Sequence, residues 1–216
     1  MDINKFSRDY FELLTGEYAG INLTRINEFG DFHNKQILDS LAPYEESTVY
    51  KSYVDKAQFN VDIGFGGGFP LLPMAYHLPK SKFIGIETRN KKVKVVSEIA
   101  QKLGLNNVQC LHSRIENVII DVPVVCTLKA VGKVYDFLSK INTTEKITVF
   151  FYKGPGFLEQ EADQLEKAMK EWDIVENKIL DVPGTEKRLI IGFQNKKVPH
   201  GTTKFTNQLV KLSGII

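Results

Sequence analysis

The chain has 216 residues, a formal net charge of +2, 43% hydrophobic and 25% charged side chains, a composition that suits one soluble globular unit with a single sizeable core. No apolar run approaches a membrane span and no repeat or low-complexity segment is present, which argues against membrane and array architectures. The charge is too mild to identify a nucleic-acid partner, so a basic surface has to be sought in local clusters.

Residues 4–14 predict an amphipathic helix, with Phe6, Tyr10, Leu13 and Leu14 at helical spacing and Gly16 as its stop. A loop follows through Gly20 and NLTR. The stretch FHNKQILDSLAPY predicts a second helix carrying Phe32, Ile37, Leu38 and Leu41 and ending at Pro43. Residues 45–58 read as a polar connector, closing an N-terminal helical layer over 1–58.

From Phe59 short β-rich runs alternate with helical ones: FNVDI, PLLPMAYHL, KFIGIE, then a helix bearing Val93, Val96, Ile99, Ala100 and Leu103. Further strands are predicted at 108–112, 122–128, 147–152, 174–180 and 188–193, with helices near 133–141 and 158–172. Such alternation predicts an α/β fold with a doubly wound, mostly parallel sheet covered on both faces. DVPGTEK leaves no room for a helix between the last two strands, so they should form a terminal antiparallel hairpin. The α/β core is expected over 59–197, within a single domain of 1–197. The tail from 198 to 216, expected to be frayed or loosely docked, follows it.

Cys110 and Cys126 are the two cysteines, and both sit in apolar runs. Buried thiols in a reducing compartment are expected, hence a cytoplasmic protein. The four histidines, His33, His77, His112 and His200, stand apart, and no Ser-His-Asp, Cys-His or metal-ligand constellation appears.

The chemistry concentrates in VDIGFGGGFPLLP, residues 61–73. Gly64, Gly66, Gly67 and Gly68 follow the first predicted strand, where an α/β sheet presents backbone N–H groups to a ligand. Gly64 and Gly66 match a dinucleotide fingerprint, but Phe69 holds its third glycine position and no G-K-[ST] follows, which disfavours NAD and a phosphate loop. Asp62 and Glu87 close the first two strands. Two carboxylates flanking the loop suit a ribose and a cationic amino-acid group better than a pyrophosphate, and S-adenosylmethionine carries both.

VDIGFGGGFPLLPMA, IETRNKKVKVV, NLTRI, QILDSL and SRIENV together resemble the bacterial RsmG (GidB) family of small-subunit ribosomal RNA guanine-N7 methyltransferases, over roughly residues 20–193. The resemblance implies a seven-stranded, Rossmann-like class I methyltransferase fold, S-adenosylmethionine as donor, and 16S ribosomal RNA or the small subunit as partner, without a metal. It implies cofactor contacts at Gly64, Phe69, Glu87, Ile115, Glu116 and Lys129, beside Asp62 and Gly66 from the loop. Because guanine N7 has a free in-plane lone pair, alignment replaces a catalytic base and no catalytic residue is expected.

Lys129 stands where the family usually has arginine, Gln36 where it has histidine and Leu71 where a glycine is common. RNA contacts are expected from Asn22, Thr24 and Arg25 in the N-terminal layer, from Arg89, Lys91 and Lys92 after the second strand, and from Lys129, Lys153 and Arg188. A solvated helix face or ordinary turn charges explain some of these equally well. Two other functions stay open: an RNA-binding or ribosome-assembly protein with weak or no turnover, and a small-molecule methyltransferase.

Overall fold

The computed structural model describes residues 2–197 and 209–215. Helix α1 (Ile3–Thr15) starts where the Asp2 carboxylate accepts a 3.0 Å hydrogen bond from Lys5 N, and it buries Phe6, Tyr10 and Leu14. After an irregular stretch, α2 (Phe29–Phe32), a π-helical segment (His33–Leu38) and α3 (Asp39–Glu46) continue one another with right-handed helical backbone at both junctions.

Pro43 does not end this helix but sits inside α3, where burial of Leu41, Ala42 and Tyr44 outweighs one missing backbone donor. Nor are residues 45–58 a connector. Ser47 Oγ caps Tyr50 N at 3.0 Å to open α4 (Thr48–Lys56), which turns Tyr50 and Val54 inward. Two buried side chains in a helix of 9 residues leave too weak a period to read from sequence.

The main sheet contains β1 (Phe59–Ile63), β2 (Phe83–Glu87), β3 (Val108–His112), β5 (Val124–Lys129), β7 (Thr148–Lys153), β8 (Trp172–Leu180) and β9 (Arg188–Asn195). Its order is β3-β2-β1-β5-β7-β9-β8. The first five strands in that order pair in parallel, and β9 runs antiparallel to both β7 and β8. The order reverses between β1 and β5, and the carboxyl ends of those strands therefore flank the switch-point crevice where ligands of such folds settle.

The connecting helices are α5 (Leu71–His77), α6 (Asn90–Lys102), α7 (Val134–Leu138), α8 (Phe157–Gln160) and α9 (Ala162–Glu171). The helix expected over 158–172 is thus two helices, parted at Glu161, whose backbone leaves the helical region. Phe59, Val61 and Ile63 of β1 join Val134 and Leu138 in one apolar layer. Asn60 and Asp62, on the alternate positions, face the layer that holds α1, α5 and α6.

A second sheet was not legible in the sequence. It consists of β4 (Val118–Ile120), β6 (Asn142–Thr143) and β10 (Val210–Lys211), in the order β10-β4-β6 and with β4 parallel to both partners. The expectation of a frayed or loosely docked tail is corrected for 209–215. Leu212 is fully buried, and Ser213 gives Asp121 hydrogen bonds of 2.9 Å from its N–H and 2.6 Å from its hydroxyl. Residues 198–208, with His200, lie outside the described residues.

The N-terminal layer and the sheet meet on the glycine loop. Tyr10 donates its hydroxyl to the Gly67 carbonyl and stacks on Phe69 at 5.2 Å between ring centroids, while Phe32 meets Phe69 edge-on at 5.7 Å. A Cβ at Gly67 would overlap the Leu23 carbonyl, and one at Gly68 would stand 2.5 Å from Tyr10 Oη. Two of the four glycines are therefore demanded by the protein's own N-terminal layer, not by a ligand. Gly67→Ala is expected to destabilise the chain by about 1–3 kcal/mol, the cost of forced overpacking. Gly30→Ala, which meets nothing within 4 Å, should leave the denaturation midpoint equal or higher.

Candidate active site

At the carboxyl edge of the sheet the other two glycines have a different setting. Gly64 and Gly66 adopt φ of 76° and 56°, a region that side chains disfavour. A Cβ on Gly64 would come no closer than 3.4 Å to protein, at Val131, and one on Gly66 no closer than 3.8 Å. Their α-carbons thus border open space that a ligand can fill, and Lys92 Nζ is one of the two groups 3.8 Å from the Gly66 position.

Glu87 reaches across this turn. Its Oε2 accepts from Gly66 N at 3.1 Å, and its Oε1 from Arg89 N at 2.9 Å and the Thr88 hydroxyl at 3.0 Å. Gly64, Glu87, Ile115 and Glu116 line one cleft of about 220 Å³, together with Val131 and Phe137. Residues distant in sequence are thereby brought together: the first strand end, the second strand end and the 3₁₀ turn Ile115–Asn117. Ile115 is buried, and the turn is held where Asn142 donates to the Glu116 carbonyl at 3.0 Å.

Asp62 lies beneath the loop, 2% exposed. Its Oδ2 accepts from Leu71 N at 3.0 Å, while its Oδ1 has no partner among the described residues. Burial pushes its pKa up to about 7, against the Leu71 hydrogen bond and the Lys129 charge, which both lower it. Leu71, one of the departures from the family pattern, fills space that Gly85 leaves: a Cβ there would stand 2.6 Å from Leu71 Cδ2.

Lys129 does not present itself to solvent as the expected phosphate contact, and Arg188 does so only in part. Both hold Asp39, whose Oδ2 lies 2.6 Å from Lys129 Nζ and whose Oδ1 lies 2.9 Å from Arg188 Nε. The Lys129 and Asp39 side chains are 11% and 6% exposed, whereas Arg188 remains 31% exposed. Burial pulls the Lys129 ammonium below the ordinary lysine value and Asp39 opposes that. Beside them Tyr152 donates to the Ser40 carbonyl at 3.2 Å and shares a 3.0 Å hydrogen bond with Tyr50. Asp39 and Ser40 belong to QILDSL, and sequence reasoning missed their role. The available signal was an acid inside an apolar run, which needs a buried cation.

Lys153 is likewise committed, to the Gly132 carbonyl and to Glu161 Oε1, both at 2.8 Å, while Glu161 Oε2 accepts from Val134 N at 2.8 Å. It fastens the loop beside the cleft instead of facing solvent. Arg89 and Lys91 are exposed and Lys92 half-buried, at the start of α6 on the same edge. Asn22 and Arg25 are exposed on the loop whose Leu23 covers Gly67, and Thr24 Oγ1 accepts from Ile26 N at 3.1 Å. Phe69, expected as a cofactor contact, has its ring in the aromatic stack and is 7% exposed.

A seven-stranded sheet of this order, with an antiparallel strand inserted between the last two, a glycine turn at its switch point and the next strand ending in a carboxylate, is that of a class I S-adenosylmethionine-dependent methyltransferase. Solved structures of that class share the fold. The magnesium protoporphyrin IX methyltransferase of Synechocystis PCC 6803, with bound SAM, aligns with a TM-score of 0.54 at 15% identity, over 89% of this chain and 97% of that one. A mutant of the 16S rRNA (adenine(1408)-N(1))-methyltransferase from Catenulisporales acidiphilia gives 0.51 at 16%, over 69% and 91%. The chain belongs to the GidB family, rRNA small subunit methyltransferase G, whose model matches residues 3–191. The relative of that name from Lactococcus lactis strain IL1403 is 31% identical over 210 residues, 90% of this chain and 83% of its own length. That from Streptococcus sanguinis SK36 is 29% identical over the same shares.

Two stability measurements test this site. Asp39→Asn leaves Lys129 buried without its counter-charge and should cost about 3–5 kcal/mol in urea unfolding, whereas Glu17→Gln, at the exposed Glu17–Lys102 pair, should leave the midpoint unchanged. Asp62 has a folded pKa raised from near ~4 to about 7, so the stability it contributes when protonated is whole below ~4 and lost as the pH rises towards 7. Asp62→Asn should therefore lose less stability than the parent between pH 5 and 8, by on the order of 2 kcal/mol.

Proposed function

We propose that this chain transfers a methyl group from S-adenosylmethionine to N7 of a guanine in small-subunit ribosomal RNA, in the cytoplasm. The observation that carries the reading is the seat of the Asn22–Arg25 loop on Gly67. It brings exposed polar and basic groups of the N-terminal layer to the edge where Gly64, Gly66 and Glu87 border open space. A target nucleotide approaching that edge meets Asn22, Thr24 and Arg25 on one side and Arg89, Lys91 and Lys92 on the other.

The residues suit the cofactor. Gly64 and Gly66 give it bare backbone, Ile115 and Glu116 border the nucleoside end of the cleft, and Asp62 Oδ1, without a partner among the described residues, is a buried acceptor beneath the loop. Glu87 takes the ribose. Three of its roughly four acceptor positions are already used, and the Thr88 hydroxyl, which can rotate, is the donor that yields to a second ribose hydroxyl. When bound, the cofactor supplies an electrophilic methyl group on a sulfonium.

The protein's share is positional. Guanine N7 needs no deprotonation; of the described histidines, His33 contacts Ser7, His77 contacts Glu45 and His112 contacts the Thr88 carbonyl. Lys129 acts through Asp39 as a positioning residue that holds α3 against the carboxyl end of β5. Phe69 supports the loop from below through its stack on Tyr10. Lys153 orders the loop bearing Val131, and Arg188, tied to Asp39 through Nε, keeps a partly exposed side chain within reach of a phosphate.

Labelled methyl transfer into small-subunit RNA or the isolated particle, with mass mapping of the product, tests the reading. Label at guanine N7 is expected, and a protein that binds S-adenosylmethionine but methylates neither substrate overturns it. In calorimetry Glu87→Ala should weaken S-adenosylmethionine about tenfold or more, the equivalent of roughly 1.4 kcal/mol. Arg89→Ala and Lys91→Ala should leave cofactor affinity intact, each lowering the salt slope of RNA binding by about 1.

A further inference from the structure

Away from the methyltransferase cleft, α1, the end of the π-helical segment, α3, α5 and the turn between β8 and β9 border an open cavity of about 550 Å³, within the roughly 300–1,000 Å³ range of ligand clefts. Leu38, Leu41 and Tyr76 give it an apolar lining. It is also lined by Glu45 and Glu46 from the end of α3 and Asp181 from the turn, Glu46 Oε2 accepting from Asp181 N at 3.5 Å, with no lysine or arginine among the described lining residues. His77, also in the lining, is committed to Glu45, Nε2 to Oε1 at 3.0 Å. The neighbouring Lys178 directs its ammonium to the Glu46 carbonyl and not into the opening.

None of the residues assigned to cofactor or RNA lines this cavity, and its charge is opposite to what RNA requires. Three carboxylates around one mouth repel phosphate and draw cations, while the apolar lining rewards a desolvated hydrocarbon body. The carboxylates come from two separate elements, so more than one positive charge is matched at intervals around the opening. A single small amine satisfies one of them. An extended basic peptide, whose side chains alternate in direction, can meet several while setting an apolar side chain on the floor.

We propose that this cavity is a docking site for a basic peptide segment of a partner protein, with an apolar side chain inserted between Leu38, Leu41 and Tyr76 and lysine or arginine side chains at Glu45, Glu46 and Asp181. The proposal does not rest on methyl transfer. The test titrates the full chain with a fluorescein-labelled peptide of alternating lysine and leucine, following anisotropy and the methyl resonances of Leu38 and Leu41. Saturable binding with a dissociation constant below about 1 mM, shifts confined to this cavity, and weakening of roughly fivefold or more in E45Q/D181N with unchanged melting temperature are expected. Leu38→Lys, which puts a like charge on the floor, should abolish binding while cofactor affinity persists. The proposal is overturned by an absence of saturation, by equal binding of the matching glutamate–leucine peptide, or by indifference to E45Q/D181N. Displacement by oligouridylate, or occupancy by pentylammonium without the peptide, would equally sink it in favour of RNA or a small cation.

Discussion

The contact on which the rest of the structure depends is backbone against backbone: the Leu23 carbonyl lying on Gly67, with Tyr10 over Gly68. Side chains at these two positions would hold the N-terminal helices off the sheet. With none, Tyr10 stacks on Phe69 and Phe32 closes the cluster edge-on to both. The loop that forms this contact also carries Asn22, Thr24 and Arg25. Packing and the proposed substrate edge are therefore consequences of one close approach, and the glycine run has two faces: Gly64 and Gly66 turn towards open space, Gly67 and Gly68 towards the protein.

Electrostatics then fixes the angle at which the layers meet. Asp39 is buried in α3 and bridges Lys129 at the end of β5 to Arg188 at the start of β9. A buried ion pair adds little net stability, because desolvation consumes most of the Coulomb gain, but losing one partner is costly. Its effect is one of registry: few other placements of α3 satisfy Asp39, Ser40 and Tyr152 together. The favourable free energy comes instead from the two apolar layers on either face of the sheet. Lys153 and Glu161 play the matching part on the far side of the cleft, and Glu161 does so from the very residue that separates α8 from α9.

The central strands were plainly legible. FNVDI and FIGIE are buried along their whole length, and parallel strands covered on both faces read as continuous β-rich runs. The hairpin of β8 and β9 was legible from a connection too short for a helix. What escaped was short or sparsely apolar. The polar stretch from Thr48 to Lys56 is helical because Ser47 caps it and Tyr50 finds Phe150 and Tyr152. The strands of the small sheet span three residues or fewer, and the docking of Leu212 depends on a strand some ninety positions earlier, a pairing with no local signature.

The sequence by itself determined the class of protein, through the motif blocks from NLTRI to SRIENV that resemble one methyltransferase family and not through the glycine turn alone. A strand-end aspartate, a turn of glycines and a second strand-end glutamate are local features, and their spacing reflects the βαβ unit that carries them. Tertiary structure alone decided which charges are available. Lys129 and Lys153 look like Arg89 and Lys91 in the sequence, yet the first two are buried against Asp39 and Glu161 while the other two are exposed. Whether a cation meets solvent depends on partners 90 residues or 8 residues away along the chain, and only the folded packing of α3 and the α8–α9 junction brings those carboxylates within reach.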